Sequence, residues 1–156
     1  ELVLDAVAAT GWALQYASPA LRADEEVVER AVAQAGGALK FALADLRDEP
    51  HVARAAVASD GLALRHAGMG LRANRNIGAL AVGQACRALE YASPGVQADL
   101  GIVAPAVEQD GWALLHASHE LQGEAMLLRE AHRQNASIPF YLEAVHRAGP
   151  AEEILL

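Results

Sequence analysis

From residue 6 to residue 131, every twenty-fifth residue is an alanine: Ala6, Ala31, Ala56, Ala81, Ala106 and Ala131. Cut at that interval, the 156-residue chain falls without a gap into six rows, 1–25, 26–50, 51–75, 76–100, 101–125 and 126–150, with a tail at 151–156. Five of the six rows carry Val in the seventh place, Ala in the thirteenth, Leu in the fourteenth and Ala in the seventeenth. So strict a period means that each row meets the same surroundings as its neighbours, which is the condition of a stacked repeat.

The second and third places are mostly Leu, Val or Ile, and with places 6 and 7 they follow the i, i+3, i+4 spacing of one buried helical face. This predicts a helix A of about ten residues per row. Places 13, 14 and 17 form a second apolar stripe, with Tyr16, Phe41, His66, Tyr91, His116 and Tyr141 at place 16. They predict a helix B of about two turns. Place 11 holds Gly11, Gly36, Gly61, Cys86, Gly111 and Ala136. Cys and Ala disfavour a left-handed cap, so small size, allowing close approach of helices, accounts for the column better.

Thr10, Asp60, Asp110 and Asn135 stand where they can cap helix B, and Asp24, Asn74 and Asp99 where they can cap the next helix A. Pro50 suits a first helical turn. Ser18-Pro19 and Ser93-Pro94 read as a cap and first residue of a short turn that returns Leu21 and Val96 to the core. Helices this short are marginal alone, so the units must stack. With only seven aromatic residues amid abundant Ala and Leu, the expected fold is all-α, an α-solenoid of six helix-helix-turn repeats about 50 Å long. Residues 1–150 form its single domain.

Pro105 falls inside helix A of row five and predicts a late start or a kink. In row six, Ser137, Pro139 and Gly149-Pro150 predict a longer C-terminal capping helix. The first row opens directly on its helix, so Leu2, Val3 and Leu4 are expected to be covered by upstream residues or by a partner. Glu1 in place of an initiator Met, with no secretory core region, predicts a removed presequence or a trimmed chain.

Twenty acidic residues against twelve basic ones leave a net charge of -8. That repels a phosphate backbone unless the basic groups gather on one face, and no gathering is visible along the chain. DNA is therefore excluded as a partner, and RNA disfavoured. The single cysteine, Cys86, excludes an internal disulfide and a cysteine metal cluster. No apolar run reaches the roughly 18 residues of a membrane-spanning helix.

Row five reads Asp110, Gly111, Ala113, Leu114, Ala117, Ser118, Leu121 and Glu124 at the recurring places. The phrase, with a helix A ending in Ala-Val, resembles the tandem repeat family called domain of unknown function 4116, found in algae, other protists and some bacteria. The resemblance runs over essentially the whole chain and departs from the pattern at Cys86 in row four and Pro139 in row six. It implies the repeat architecture; no activity or catalytic residue is established for the family, so none carries over. An algal source would imply a processed organellar, chloroplast subunit of a photosynthetic assembly.

His116 and His119 lie i, i+3 apart, but zinc needs further ligands and Glu120 points elsewhere on a helix. Glu143 and His146 form one E-x-x-H pair where a di-iron bundle needs two. Cys86 has no adjacent base and reads as a small residue in the glycine column. These readings predict no metal, no cofactor and no enzyme.

Place 12 holds Trp12, Gly37, Leu62, Arg87, Trp112 and Ser137, a mixture that points away from the core. Trp12, Leu62 and Trp112 are therefore candidate partner anchors, together with Leu2, Val3 and Leu4. The alternative is that each Trp folds over the turn of its own repeat. The resulting expectation is a non-enzymatic protein-protein interaction or scaffold module within a larger complex. A modular single-stranded RNA reader using place 15 is one alternative. An accessory subunit touching a pigment or ligand through His119 or Glu120 is another.

Overall fold

In a computed structural model of the chain, residues 2–139, 142 and 143 are described. All regular structure among them is helical. The order is α1 (Leu2–Ala9), η1 (Gly11–Tyr16), α2 (Pro19–Arg22), α3 (Glu25–Gln34), η2 (Gly36–Phe41), α4 (Ala44–Arg47), α5 (Pro50–Ser59) and η3 (Gly61–His66), where η marks a 3-10 helix. It continues with α6 (Met69–Arg72), α7 (Arg75–Gln84), η4 (Cys86–Tyr91), α8 (Pro94–Gln97), α9 (Leu100–Gln109), η5 (Gly111–His116), α10 (His119–Gln122) and α11 (Ala125–Gln134). The same ten-, six- and four-residue helices thus recur at a 25-residue interval from Glu25 on.

Helices α3, α5, α7 and α9 bury places 2, 3, 6 and 7, as with Val27, Val28, Ala31 and Val32 in α3 and Ile102, Val103, Ala106 and Val107 in α9, whereas α11 buries Leu127 and Ala131 and exposes His132. The long helices pack on one another in chain order, and so do the 3-10 helices. Leu14, Leu39, Leu64, Leu89 and Leu114 are fully buried between the two layers. Truncating any of them to Ala would cost about 2–5 kcal/mol.

The second helix of the unit is a 3-10 helix, not the α-helix expected. Its period is three, which places Gly11, Leu14 and Ala17 in line, and the cap Ala17 N–H donates to Leu14 O at 3.1 Å. The glycine column sets how closely the next long helix approaches. A Cβ on Gly11, Gly36 or Gly61 would collide with the carbonyl oxygen of Ala31, Ala56 or Ala81, and one on Gly111 would lie 2.9 Å from Ala131 Cα. Place 11 is small because the next long helix runs against it.

Backbone hydrogen bonds link neighbouring units as well. The N–H of Leu43, Gly68, Ser93 and Ser118 donates to the carbonyl of Arg22, Arg47, Arg72 and Gln97, at 2.9 to 3.1 Å. Asp24, Asn74 and Asp99 accept from Val27, Ile77 and Gly101 N–H as capping residues, and Asp60 and Asp110 from Leu62 and Trp112. Thr10 makes no such bond.

Pro105 neither delays nor shortens α9, which has the same ten residues as α5 and α7. It sits on the exposed face, where water can satisfy the carbonyl left without its intrahelical donor. In row six, residues 138, 139, 142 and 143 are helical. Gly149-Pro150, His146 and the tail lie outside the described residues. So do the side chains of Leu2, Val3 and Leu4. Among the described residues, no helix is long and apolar enough to cross a membrane.

Candidate functional site

In the first five rows place 12 stands second in a 3-10 helix, and because those helices stack, Trp12, Leu62 and Trp112 follow one another along one edge; Ser137 lies in a turn. Their environments differ. Trp12 is 43% exposed, whereas Leu62 and Trp112 are half-buried against the core. Gly37 is buried, so place 12 is not uniformly outside the core as its composition suggested.

Trp12 does not fold over its own turn. Its ring reaches the next unit, where a Cβ on Gly37 would meet Trp12 Cη2 at 2.8 Å. It meets Phe41 edge to face, with centroids 6.2 Å apart, and Lys40 Nζ lies 5.2 Å from its centroid. Glycine in row two is the counterpart of the ring in row one. Such a contact at an exposed site is worth about 0.5–1 kcal/mol from the cation alone.

Trp112 lines a groove of about 310 Å³ with Cys86, Arg87, Glu90, Asp110 and His116. The groove opens where Cys86 replaces the place-11 glycine, and η4 packs less closely on α9 than its counterparts do on their helices. Cys86 Sγ is 3.8 Å from Asp110 Oδ2. Burial and the Asp110 charge raise the thiol pKa, so Cys86 is a thiol and not a thiolate nucleophile at neutral pH. Burial likewise lowers the pKa of His116, which Glu90 partly offsets.

His119 and Glu120 are exposed on α10. Among the described residues, the convergent set of potential metal ligands is instead Glu25, Glu29 and His51, whose ligand atoms lie within 4.8 Å of one another. His51 Nε2 is 2.9 Å from Glu25 Oε1 and 3.4 Å from Glu29 Oε1. Glu49 Oε2 is 3.8 Å from its Nδ1. The three carboxylates can hold the imidazole as an inter-row ion pair when it is protonated. The sequence signal was their position, His51 opening row three beside the start of α3 one row earlier.

A family model described as a domain of unknown function, DUF4116, matches residues 1–47. The match takes in the first row and most of the second. No curated protein and no solved structure matches the chain.

Proposed function

We propose that the chain is a non-enzymatic interaction module, an α-solenoid in which all six rows are tandem units of the kind matched at residues 1–47. Its place-12 edge docks a protein partner within a larger assembly. The observation that carries this reading is Trp12, a large aromatic ring 43% exposed at the head of an edge that continues through Leu62 and Trp112. Aromatic anchors of this kind supply much of the energy of protein interfaces, and a stacked array offers a long surface on which to place them. Leu2, Val3 and Leu4 are proposed as a further partner contact at the first row.

The test is paired affinity isolation from the native source with the wild-type chain and with Trp12→Ala. A protein held by the first and lost with the second supports the docking edge. Equal capture by both, or acrylamide quenching that finds both Trp rings shielded in the isolated chain, removes its basis.

A further inference from the structure

Place 22 is Arg22, Arg47 and Arg72 in the first three rows and Gln97 and Gln122 in the next two. The glutamines explain what the position does for the fold. Gln97 Nε2 donates to Leu89 O at 3.0 Å, and Gln122 Nε2 to Leu115 O at 3.0 Å and Ala117 O at 3.1 Å. Leu115 and Ala117 lie at the C-terminal end of η5, whereas Leu89 O also accepts from the Ala92 N–H. A donor side chain at place 22 closes that end.

The arginines occupy the same position without making those bonds. Their Nε atoms are buried and lack a hydrogen-bond partner. Among the described residues, none of the three guanidinium groups has an ion pair. Arg30, Arg75, Arg87 and Arg133, by contrast, are each held by a carboxylate, at 2.7, 2.6, 3.4 and 2.6 Å. The half-buried stems of Arg22, Arg47 and Arg72 therefore fix three unpaired cations in one column, one per unit.

Arg47 and Arg72 line the same pocket, about 150 Å³, together with His66 and Asp48. The surrounding field is positive. Arg65, Lys40 and Arg47 all oppose protonation of His66, behind the larger effect of burial, and Asp60 offsets them in part. Arg65 Nε–H donates to His66 Nε2 at 3.0 Å, so a neutral His66 carries its proton on Nδ1, as a further donor. Asp48 alone is acidic among the lining residues, against the two cations Arg47 and Arg72. The 25-residue period thus brings Arg47 and Arg72, far apart along the chain, to one pocket.

We propose that the pocket between Arg47 and Arg72 binds a phosphate group. Two guanidinium forks and an imidazole N–H match the several acceptor oxygens of a tetrahedral dianion, and charge-assisted bonds from Arg are the strongest such contacts. The site is independent of the place-12 edge.

The experiment is titration of inorganic phosphate into the full chain at constant ionic strength, followed by the Nε–Hε resonances of the arginines and the ring resonances of His66. The expected result is saturable, millimolar binding that moves the Arg47, Arg72 and His66 signals. The variant R47Q/R72Q keeps a place-22 donor that rows four and five already use, and should weaken binding by about tenfold or more. A charge-matched control, R54Q/R129Q, removes two exposed cations elsewhere and should leave it unchanged. O-phosphoserine and adenosine monophosphate as further titrants separate a phosphoprotein from a nucleotide source, the tighter one naming the parent. Absence of saturable shifts in the wild-type chain, equal binding by R47Q/R72Q, or equal loss in R54Q/R129Q overturns the site.

Discussion

Gly61 lies against the carbonyl oxygen of Ala81 in the next row, with no room between them for a methyl group. The same contact joins Gly36 to Ala56 and Gly11 to Ala31. Backbone atoms cannot yield as a flexible side chain can. Gly61→Ala should therefore destabilise the chain by about 1–3 kcal/mol in urea unfolding. Gly83, in α7, faces open space, and Gly83→Ala should raise stability by about 0.5–1 kcal/mol through helix propensity. Equal effects of the two would show that the glycine column is not a packing contact.

The capping residues divide into those that hold a backbone N–H and those that only stand in position. Asp24→Ala and Asn74→Ala each remove a side-chain acceptor for a helix N-terminus and should cost about 1 kcal/mol by thermal or chemical unfolding. Thr10 caps nothing, and Thr10→Ala should change stability by less than about 0.5 kcal/mol.

Much of the architecture was legible because buried positions recur by row. Places 2, 3, 6 and 7 are read directly as the inner face of the ten-residue helices, and place 11 as a steric minimum. The 3-10 character of the second helix was not, because a six-residue stripe fits a short α-helix as well. Its sign was the spacing of three that joins Gly11, Leu14 and Ala17. The site was less legible. The reach of Trp12 to Gly37 crosses from one row to the next, and the Arg22, Arg47 and Arg72 column emerges only when rows are compared at place 22.

Cys86 should behave as a hindered thiol. Its pKa is raised by burial and by the Asp110 carboxylate, so reaction with a disulfide reagent at pH 8 should be slower than for an unfolded peptide. Asp110→Asn keeps the oxygen that accepts from Trp112 N–H but removes the charge. It should lower the thiol pKa and speed the reaction several-fold, since rate follows thiolate fraction. An unchanged or slower rate would contradict the assigned role of Asp110.

Acid should weaken the fold before carboxylates titrate. The pKa values of His66 and His116 are lowered from 6.5, chiefly by burial, so below that value the unfolded chain takes up protons that the folded chain resists. Their contribution is fully present above pH 6.5 and is lost as pH falls through the lowered folded values. Tm should drop between about pH 7 and 5. His116→Tyr and His66→Phe use residue types already found at place 16 and should flatten that drop. Asp99, whose pKa Arg75 holds below its ordinary 3.8, adds a separate loss at lower pH.

The claim on which all of this rests is that one row can stand in for another, and excision of a whole row tests it most directly. Removing residues 51–75 joins Pro50 to Asn76, so that Gly36 meets the row that carries Ala81. The account predicts a cooperatively unfolding chain with unchanged helicity per residue, lower stability, and amide resonances of residues 101–139 at their original positions. A random-coil spectrum, or displacement of those resonances throughout, would show that the rows are not interchangeable units and would contradict it.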